Sequence, residues 1–511
     1  MKKSIIQKLS WLLVLCMLFS AMALVACSED TPDDQPSNQP SGTTPGTTPG
    51  TTPDDEDAVD RIPLNLLDYD YTDKSVHIMQ WSANGVVDVG SGWIPWEEGD
   101  VEEYSDDMMS SAVFARNAWV EEQLGLTITS EYVSVDQGYQ TRLQQDFTTS
   151  SNEFQLATVR ARTVWPVIEA GLYLDMNQFA GEILHTDQPW WPADAVASYT
   201  LGDGLYACAT EMLLRDKGAT AAIFFNTQIA ENYGLNYLYD FVEDGDWTLE
   251  TMIAACEVAA TSQDGDGMIN SVRDLWGVEG GEVSYQLFAG AGYKFAHIDE
   301  DGYIAYDFGS KETILAMQTI YEDYMYADWN YLSHTPLDGQ PEGGMFVNSL
   351  ALFSNNLIKS AYLSYREMET EYGILPMPKF DDNQDSYYSM VSSHHDSVVA
   401  IPSGTHDPEM SAVTLEMLSY EGYYAVAPVL YETMLLNRLA KSEESKRSME
   451  IIFATRVYDP GQYWDSEYNL HGTFFRLSKT GNSNIASIWA SWEETTMKQM
   501  ELVNDFIDET R

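Results

Sequence analysis

The 511-residue chain carries 80 acidic against 26 basic side chains, a formal charge of −54. Such a surface repels nucleic acid and anionic lipid and favours solubility. Its four cysteines, Cys16, Cys27, Cys208 and Cys256, are too few for a disulfide scaffold, and no Cys/His cluster carries zinc spacing.

Lys2, Lys3 and Lys8 precede an apolar stretch from Trp11 to Ala26 that ends Leu24-Val25-Ala26-Cys27. A charged start, a short apolar run and small residues at a cut site predict a signal peptide over 1–26. The Cys directly after the small residue resembles the lipobox of bacterial lipoproteins. That resemblance implies a lipid thioether on Cys27 and an anchor on the extracellular face of the cell membrane. The alternatives are a plain secretion signal with a chance Cys, or an uncleaved anchor helix. The apolar run is shorter than the ~20 residues a spanning helix needs. Residues 27–60 are Pro, Thr, Gly and Asp with a TTPG repeat. They bury too little to fold and read as an extended tether.

About 450 residues then remain, enough for two or three lobes. Ser75–Trp81 reads as a strand and Ser110–Gly125 as an amphipathic helix stopped by its glycine. Leu126–Val133 alternates as a strand, Gly138–Ser150 reads as a helix, and Glu153–Val159 as a buried strand. This order predicts an α/β lobe with a parallel sheet. Further on, Trp247–Thr261 is a helix with Thr248 as its N-cap, and Ser310–Ala327 is another. Pro408–Leu435 reads as a long helix broken near Gly422 and Pro428. No later segment has 18 unbroken apolar residues, so none is expected to span a membrane.

Several segments in order carry a family resemblance. They are ARNAWVEEQLGLTI (115–128), EAGLYLDM (169–176), QPWWPADAVASYTLGDGLYA (188–207), IFFNTQIAENYGL (223–235), YGILPMPKFDDNQ (372–384) and VAIPSGTHDPE (399–409). Together they resemble the extracellular solute-binding proteins, family 1, of ABC importers, the sugar-binding relatives of maltose-binding protein. Thr227 stands where that pattern usually has Lys. The resemblance implies an α/β, two-lobed type II periplasmic-binding-protein fold, with a hinge and an interlobe ligand cleft. Lobe 1 is expected at 61–205 plus 393–440, and lobe 2 at 206–392 plus 441–511. It also implies a monomer that is no enzyme, captures a carbohydrate, most naturally an oligosaccharide, and docks on ABC permease subunits. A peptide or other non-sugar solute is the alternative, as is a surface glycan-binding lipoprotein without a transporter. A surface hydrolase is the third rival, but no G-x-S-x-G, H-E-x-x-H or phosphate-cradling Gly loop occurs.

In this fold the cleft lies where sheet strands end, which nominates loops. Trp81 ends the first strand. Arg160, Arg162 and Trp165 follow the third. The two Arg either hold an acidic ligand such as a uronate or neutralise neighbouring acids. Glu211 lies near the first crossing between lobes. Glu279 and Tyr285 fall in a loop that often faces ligand in the family. Ser393 and His394 belong to the second crossing. Trp329 and Trp464 are candidate stacking surfaces. No cofactor is expected, with one exception. Ser262–Asp274 approximates a calcium loop through Asp264, Asp266 and Asn270, although Ser262 and Arg273 depart from the pattern. The other reading is a plain Asp/Gly turn.

Overall fold

The computed structural model describes residues 61–82, 108–134, 138–280, 284–333, 335–436, 442–464 and 470–511. The expected signal peptide, Cys27 and the tether to residue 60 lie outside the described residues.

Strands β1 (Ser75–Ser82), β2 (Thr127–Ser134) and β3 (Leu156–Arg160) alternate with helices α1 (Met108–Leu124) and α2 (Tyr139–Thr149). The periodicity had placed all five within about three residues. The strands of a second large sheet follow: β4 (Ala221–Asn226), β5 (Trp276–Gly280), β6 (Asn330–Leu332), β7 (Ala351–Leu357) and β8 (Tyr372–Leu375). Among them lie α3 (Leu249–Ala259), α4 (Ser284–Gly290) and α5 (Lys311–Thr319). The chain continues through β9 (Ser389–Met390), β10 (Ser397–Ala400), α6 (Pro408–Glu421), α7 (Ala427–Leu436), β11 (Arg456–Val457) and α8 (Ile485–Thr510).

Two large sheets hold all of these strands but β9 and β11, which pair with each other. The first has the order β10-β3-β1-β2, with β1 parallel to β2 and β3, and β10 antiparallel to β3. The second has the order β6-β5-β7-β4-β8. There β5, β6 and β7 run parallel, and β4 opposes both β7 and β8. Burial on both faces explains the continuous apolar runs, such as Ala221–Phe225.

Local signals behave as their chemistry requires. Thr248 caps α3 in a reciprocal capping box with Thr251. Asn226 caps the helix after β4 by accepting from the Ile229 N–H at 3.0 Å. The long helix breaks at Gly422 into a π-turn, Gly422–Val426, before resuming as α7. A Cβ at Gly422 would stand 2.0 Å from the Glu211 carbonyl oxygen, so only glycine lets the turn lie there. Pro428 does not break the helix; it sits in the first turn of α7, where a missing N–H costs nothing. A second π-turn, Ile320–Met325, ends the helix expected over 310–327.

One apolar cluster packs around the first sheet and includes Trp81, Trp165, Trp190 and Trp191. Tyr458, Trp464, Val503 and Ile507, from late in the chain, pack into it as well. Two more clusters pack around the second sheet. Cys208 lies in the first cluster and Cys256 in the second; both are free and buried, so they do not pair. Among the described residues no helix is long and apolar enough to cross a membrane.

Glu416 on α6 fixes how the 185–191 segment meets the first core. It is fully buried, and its carboxylate accepts from the indole N–H groups of Trp190 and Trp191, each at 2.8 Å, and from His185 Nδ1 at 3.1 Å. Burial raises its pKa, while the indole donors oppose the rise. Glu416→Leu keeps the bulk and strands both indoles. It is expected to cost about 2–4 kcal/mol in urea unfolding.

Three chain segments cross between the sheets and are laced together. Cys208 pairs with Val399, Thr220 with Val391, and β9 with β11. This is the hinge.

Candidate functional site

The polypeptide ends its parallel strands β5, β6 and β7 on one edge of the second sheet. A cavity of about 270 Å³ opens there. Its walls are Glu279 from β5, Ser333 after β6, Ser354–Leu357 of β7, Tyr285 and Gln286 from α4, and His395 from the second crossing. It therefore spans from a strand-end edge to the hinge, where open α/β sheets bind ligands. A larger cavity of about 760 Å³, lined by Tyr293, Tyr388 and Arg456 among others, lies at the opposite end of α4, away from those strand ends.

The polar lining is unusual for its burial. Asn355 is 2% exposed and Gln286 4%. Among the described residues Gln286 Oε1 makes no hydrogen bond, and the Asn355 amide makes none of good geometry, with the buried Tyr324 hydroxyl beside it. Each such group costs about 1–3 kcal/mol if left unmet, so native structures rarely keep them without a water or ligand to serve. Glu279 is held by the Phe346 N–H at 2.9 Å, and burial raises its pKa. Glu279 and Tyr285, nominated from the sequence, line this cavity together with Gln286 and Asn355, which were not nominated. The signal was available: Ser354-Asn355-Asn356 interrupts an otherwise apolar buried strand.

Beside the second crossing lies a second group of residues. Arg162 Nη1 approaches His394 Nδ1 at 2.7 Å. A guanidinium only donates, so Nδ1 accepts and His394 is the neutral Nε2–H tautomer. Burial, then Arg162, Arg160 and Lys359, push its pKa down to about 3. The His394 ring meets His395 edge-on at 4.8 Å, which links this group to the cavity wall. Lys359, just beyond β7, is pushed down to about 7 by burial and then by Arg215. Ser393 is fully buried; its carbonyl accepts from Arg162 N–H, and its hydroxyl has no partner among the described residues.

The aromatic candidates are used mainly on protein. Trp81 is buried, donates from Nε1 to Ser397 Oγ at 2.7 Å, and has the guanidinium carbons of Arg160 and Arg215 at 4.6 and 4.7 Å from its ring. Trp165 and Trp464, placed in opposite lobes by the resemblance, meet edge to face at 5.9 Å. Tyr199 and Tyr463 complete that buried group. Trp329 stands at the start of β6, the end opposite the cavity, against Tyr324 at 5.5 Å.

Glu211 enters an ion network. Its Oε2 is 2.8 Å from Lys217 Nζ, and its Oε1 is 3.9 Å from Arg456. In the 262–274 loop, Asp274 accepts from the N–H groups of Gln263, Asn270 and Ser271. Asp264 and Asp266 accept from Ser262 Oγ and from the N–H groups of Asp266 and Met268. Among the described residues no three His, Cys, Asp or Glu side chains gather as metal ligands.

The architecture, two α/β layers joined by three crossings with a strand-end cavity at the hinge, is the type II periplasmic-binding-protein fold. No family model and no curated protein matches the sequence. Solved structures do match. The galacto-N-biose-/lacto-N-biose I-binding protein of a Bifidobacterium longum ABC transporter, in complex with lacto-N-biose, aligns with TM-score 0.53. That alignment covers 84% of this chain and 97% of the other at 13% identity. The ABC substrate-binding protein Lmo0181 of Listeria monocytogenes, in complex with cycloalternan, gives 0.50 over 86% and 99% at 13% identity. A cyclo/maltodextrin-binding protein complexed with maltotetraose gives 0.50 over 83% and 96%, again at 13% identity. At that identity the likeness is one of fold.

Proposed function

We propose that this chain captures an oligosaccharide between its two lobes outside the cell and passes it to an ABC permease, tethered through lipid on Cys27. It carries out no chemistry on the solute. The observation that carries the reading is the hinge-side cavity with the buried amides of Gln286 and Asn355 on its wall. Sugar hydroxyls both donate and accept, and an amide offers both in return. The solved structures sharing the fold hold lacto-N-biose, cycloalternan and maltotetraose, which agrees with this reading. The Cys27 lipid would keep the protein near its permease, with residues 28–60 setting its reach.

The test is a thermal-shift screen of the mature chain against oligosaccharides and peptides. A ligand present at 100 times its Kd adds about 2.7 kcal/mol to apparent stability. An upward shift with an oligosaccharide is expected, with no hydrolysis of it. Shifts with peptides and none with sugars would end the assignment.

A further inference from the structure

The larger cavity, of about 760 Å³, is separate from the strand-end cavity and opens at the C-terminal end of α4. Its size falls within the roughly 300–1,000 Å³ of small-molecule sites. Its walls come from distant parts of the chain. Tyr293 follows α4, Glu312 lies in the first turn of α5, Tyr388 leads into β9, and Thr455 leads into β11. Asp194 comes from the helix Ala193–Tyr199, which packs into the first core.

Two half-buried tyrosines are built into these walls. The Tyr293 ring stacks on Phe288 at 5.3 Å and meets Phe380 edge-on at 6.3 Å; its hydroxyl donates to Glu312 Oε1 at 3.1 Å. The Tyr388 ring lies over Gly292, where a Cβ would stand 3.4 Å from Tyr388 Cε2 and where φ is +82°. Gln384 pins the segment before Tyr388 to the end of α4, donating to the Gly290 and Ser386 carbonyls at 2.8 and 2.6 Å. Aromatic groups held in this way by protein contacts lose little freedom when a ligand arrives. The charges on the walls are of both signs. Asp194, Asp307 and Glu312 bring carboxylates, while Lys294 and Arg456 bring cations. Arg456 is bonded to Asp216, and Asp307 meets His297 Nδ1 at 2.9 Å. No block of one sign is left to select an ion.

We infer that this cavity is a second carbohydrate site, taking a neutral saccharide whose rings lie against Tyr293 and Tyr388 and whose hydroxyls donate to Asp194 and Glu312. Sugar rings offer C–H faces that suit an aromatic surface. Their hydroxyls give carboxylates short, charge-assisted hydrogen bonds. An organic amine would suit the carboxylates and the tyrosine faces too, but it meets Lys294 and Arg456 on the same walls. An acidic ligand meets three carboxylates there. The site does not depend on Gln286 or Asn355, which line the other cavity.

The test takes the mature chain through a panel of neutral di-, tri- and tetrasaccharides, with putrescine as the amine probe, and reads backbone hydrogen exchange. A saccharide is expected to protect residues 291–294, 386–389 and 454–457, and to go on protecting them when Asn355→Leu and Gln286→Met disable the strand-end cavity. Calorimetry of that saccharide on the disabled chain should then weaken roughly 10-fold or more once Asp194→Ala and Tyr388→Ala are added. Asp194 is exposed and Tyr388 half-buried, so the added changes leave the core alone; the exchange result needs neither. Protection of these segments with none at 354–357 would support this site and count against the strand-end one. Protection that disappears with Asn355→Leu and Gln286→Met would overturn the second site and leave the strand-end reading intact. No protection by any saccharide, or protection by putrescine alone, would overturn it as well.

Discussion

Asp216→Asn is expected to cost the fold about 3–5 kcal/mol, and adding Lys217→Met is expected to restore part of that loss. Four charges meet under the hinge with almost no exposure. Lys217 Nζ lies 2.8 Å from Glu211 and 3.3 Å from Asp216, Arg456 bonds Asp216, and the Tyr458 hydroxyl donates to Asp216 at 3.1 Å. Two anions face two cations. Removing Asp216 alone leaves an uncompensated buried positive charge, the situation that makes such networks fragile. Removing Lys217 with it returns the site to one anion and one cation, Glu211 and Arg456. Urea unfolding of both single variants and the pair, read as a double-mutant cycle, checks this. A pair whose loss is the plain sum of the singles would contradict it.

The same network sets a pH window. Burial alone would raise the Asp216 pKa, but Lys217 and Arg456 overcome it, so the folded value lies below the ordinary 3.8. A depressed carboxyl pKa gives stability that is present above the unfolded value and lost as pH falls through the folded one. Burial alone would lower Lys217, but Asp216 and Glu211 raise it above 10.5. That contribution is complete below the unfolded value and lost as pH rises through the folded one. The network is therefore at full strength from about pH 5 to pH 10, and Asp216→Asn should be penalised least in acid.

Sequence reasoning was strong where the cause was local and weak where it was not. The strands and helices of the first sheet follow from spacing and Thr248 from capping, whereas the Glu211 carbonyl that demands a glycine at 422 comes from a distant segment. The residues of the cavity and hinge depend on partners far along the chain. Glu211 looks like a cleft acid until Lys217 and Arg456 are placed beside it. Trp165 and Trp464 look like two stacking surfaces until they are found against each other. Trp329 is an aromatic like any other until the direction of β6 places it at the end away from the cavity. In each case the side chain already makes an interaction within the protein that its residue type alone does not reveal.

Asn355 is the converse case, a buried amide with only the Tyr324 hydroxyl beside it and no hydrogen bond of good geometry among the described residues, and its replacement should separate stability from binding. Asn355→Leu fills a similar volume on β7 and removes a buried donor and acceptor that are poorly satisfied there. The unliganded protein is expected to be as stable as the parent or about 1 kcal/mol more so, because a poorly satisfied buried donor and acceptor are a standing cost. Affinity for the solute should fall by a factor on the order of 100 or more. A site built to hydrogen-bond hydroxyls loses heavily when one side of those bonds becomes apolar. Gln286→Met should act in the same direction. Thermal melts without solute and calorimetry with it give the two quantities independently. If Asn355→Leu melts well below the parent and binds as tightly, the amide is a structural group and the cavity edge at β7 is not where the solute sits. If it gains stability and loses affinity, the strain stored in the unliganded cavity is what the solute relieves, and that relief is a source of the energy that draws the lobes together over it.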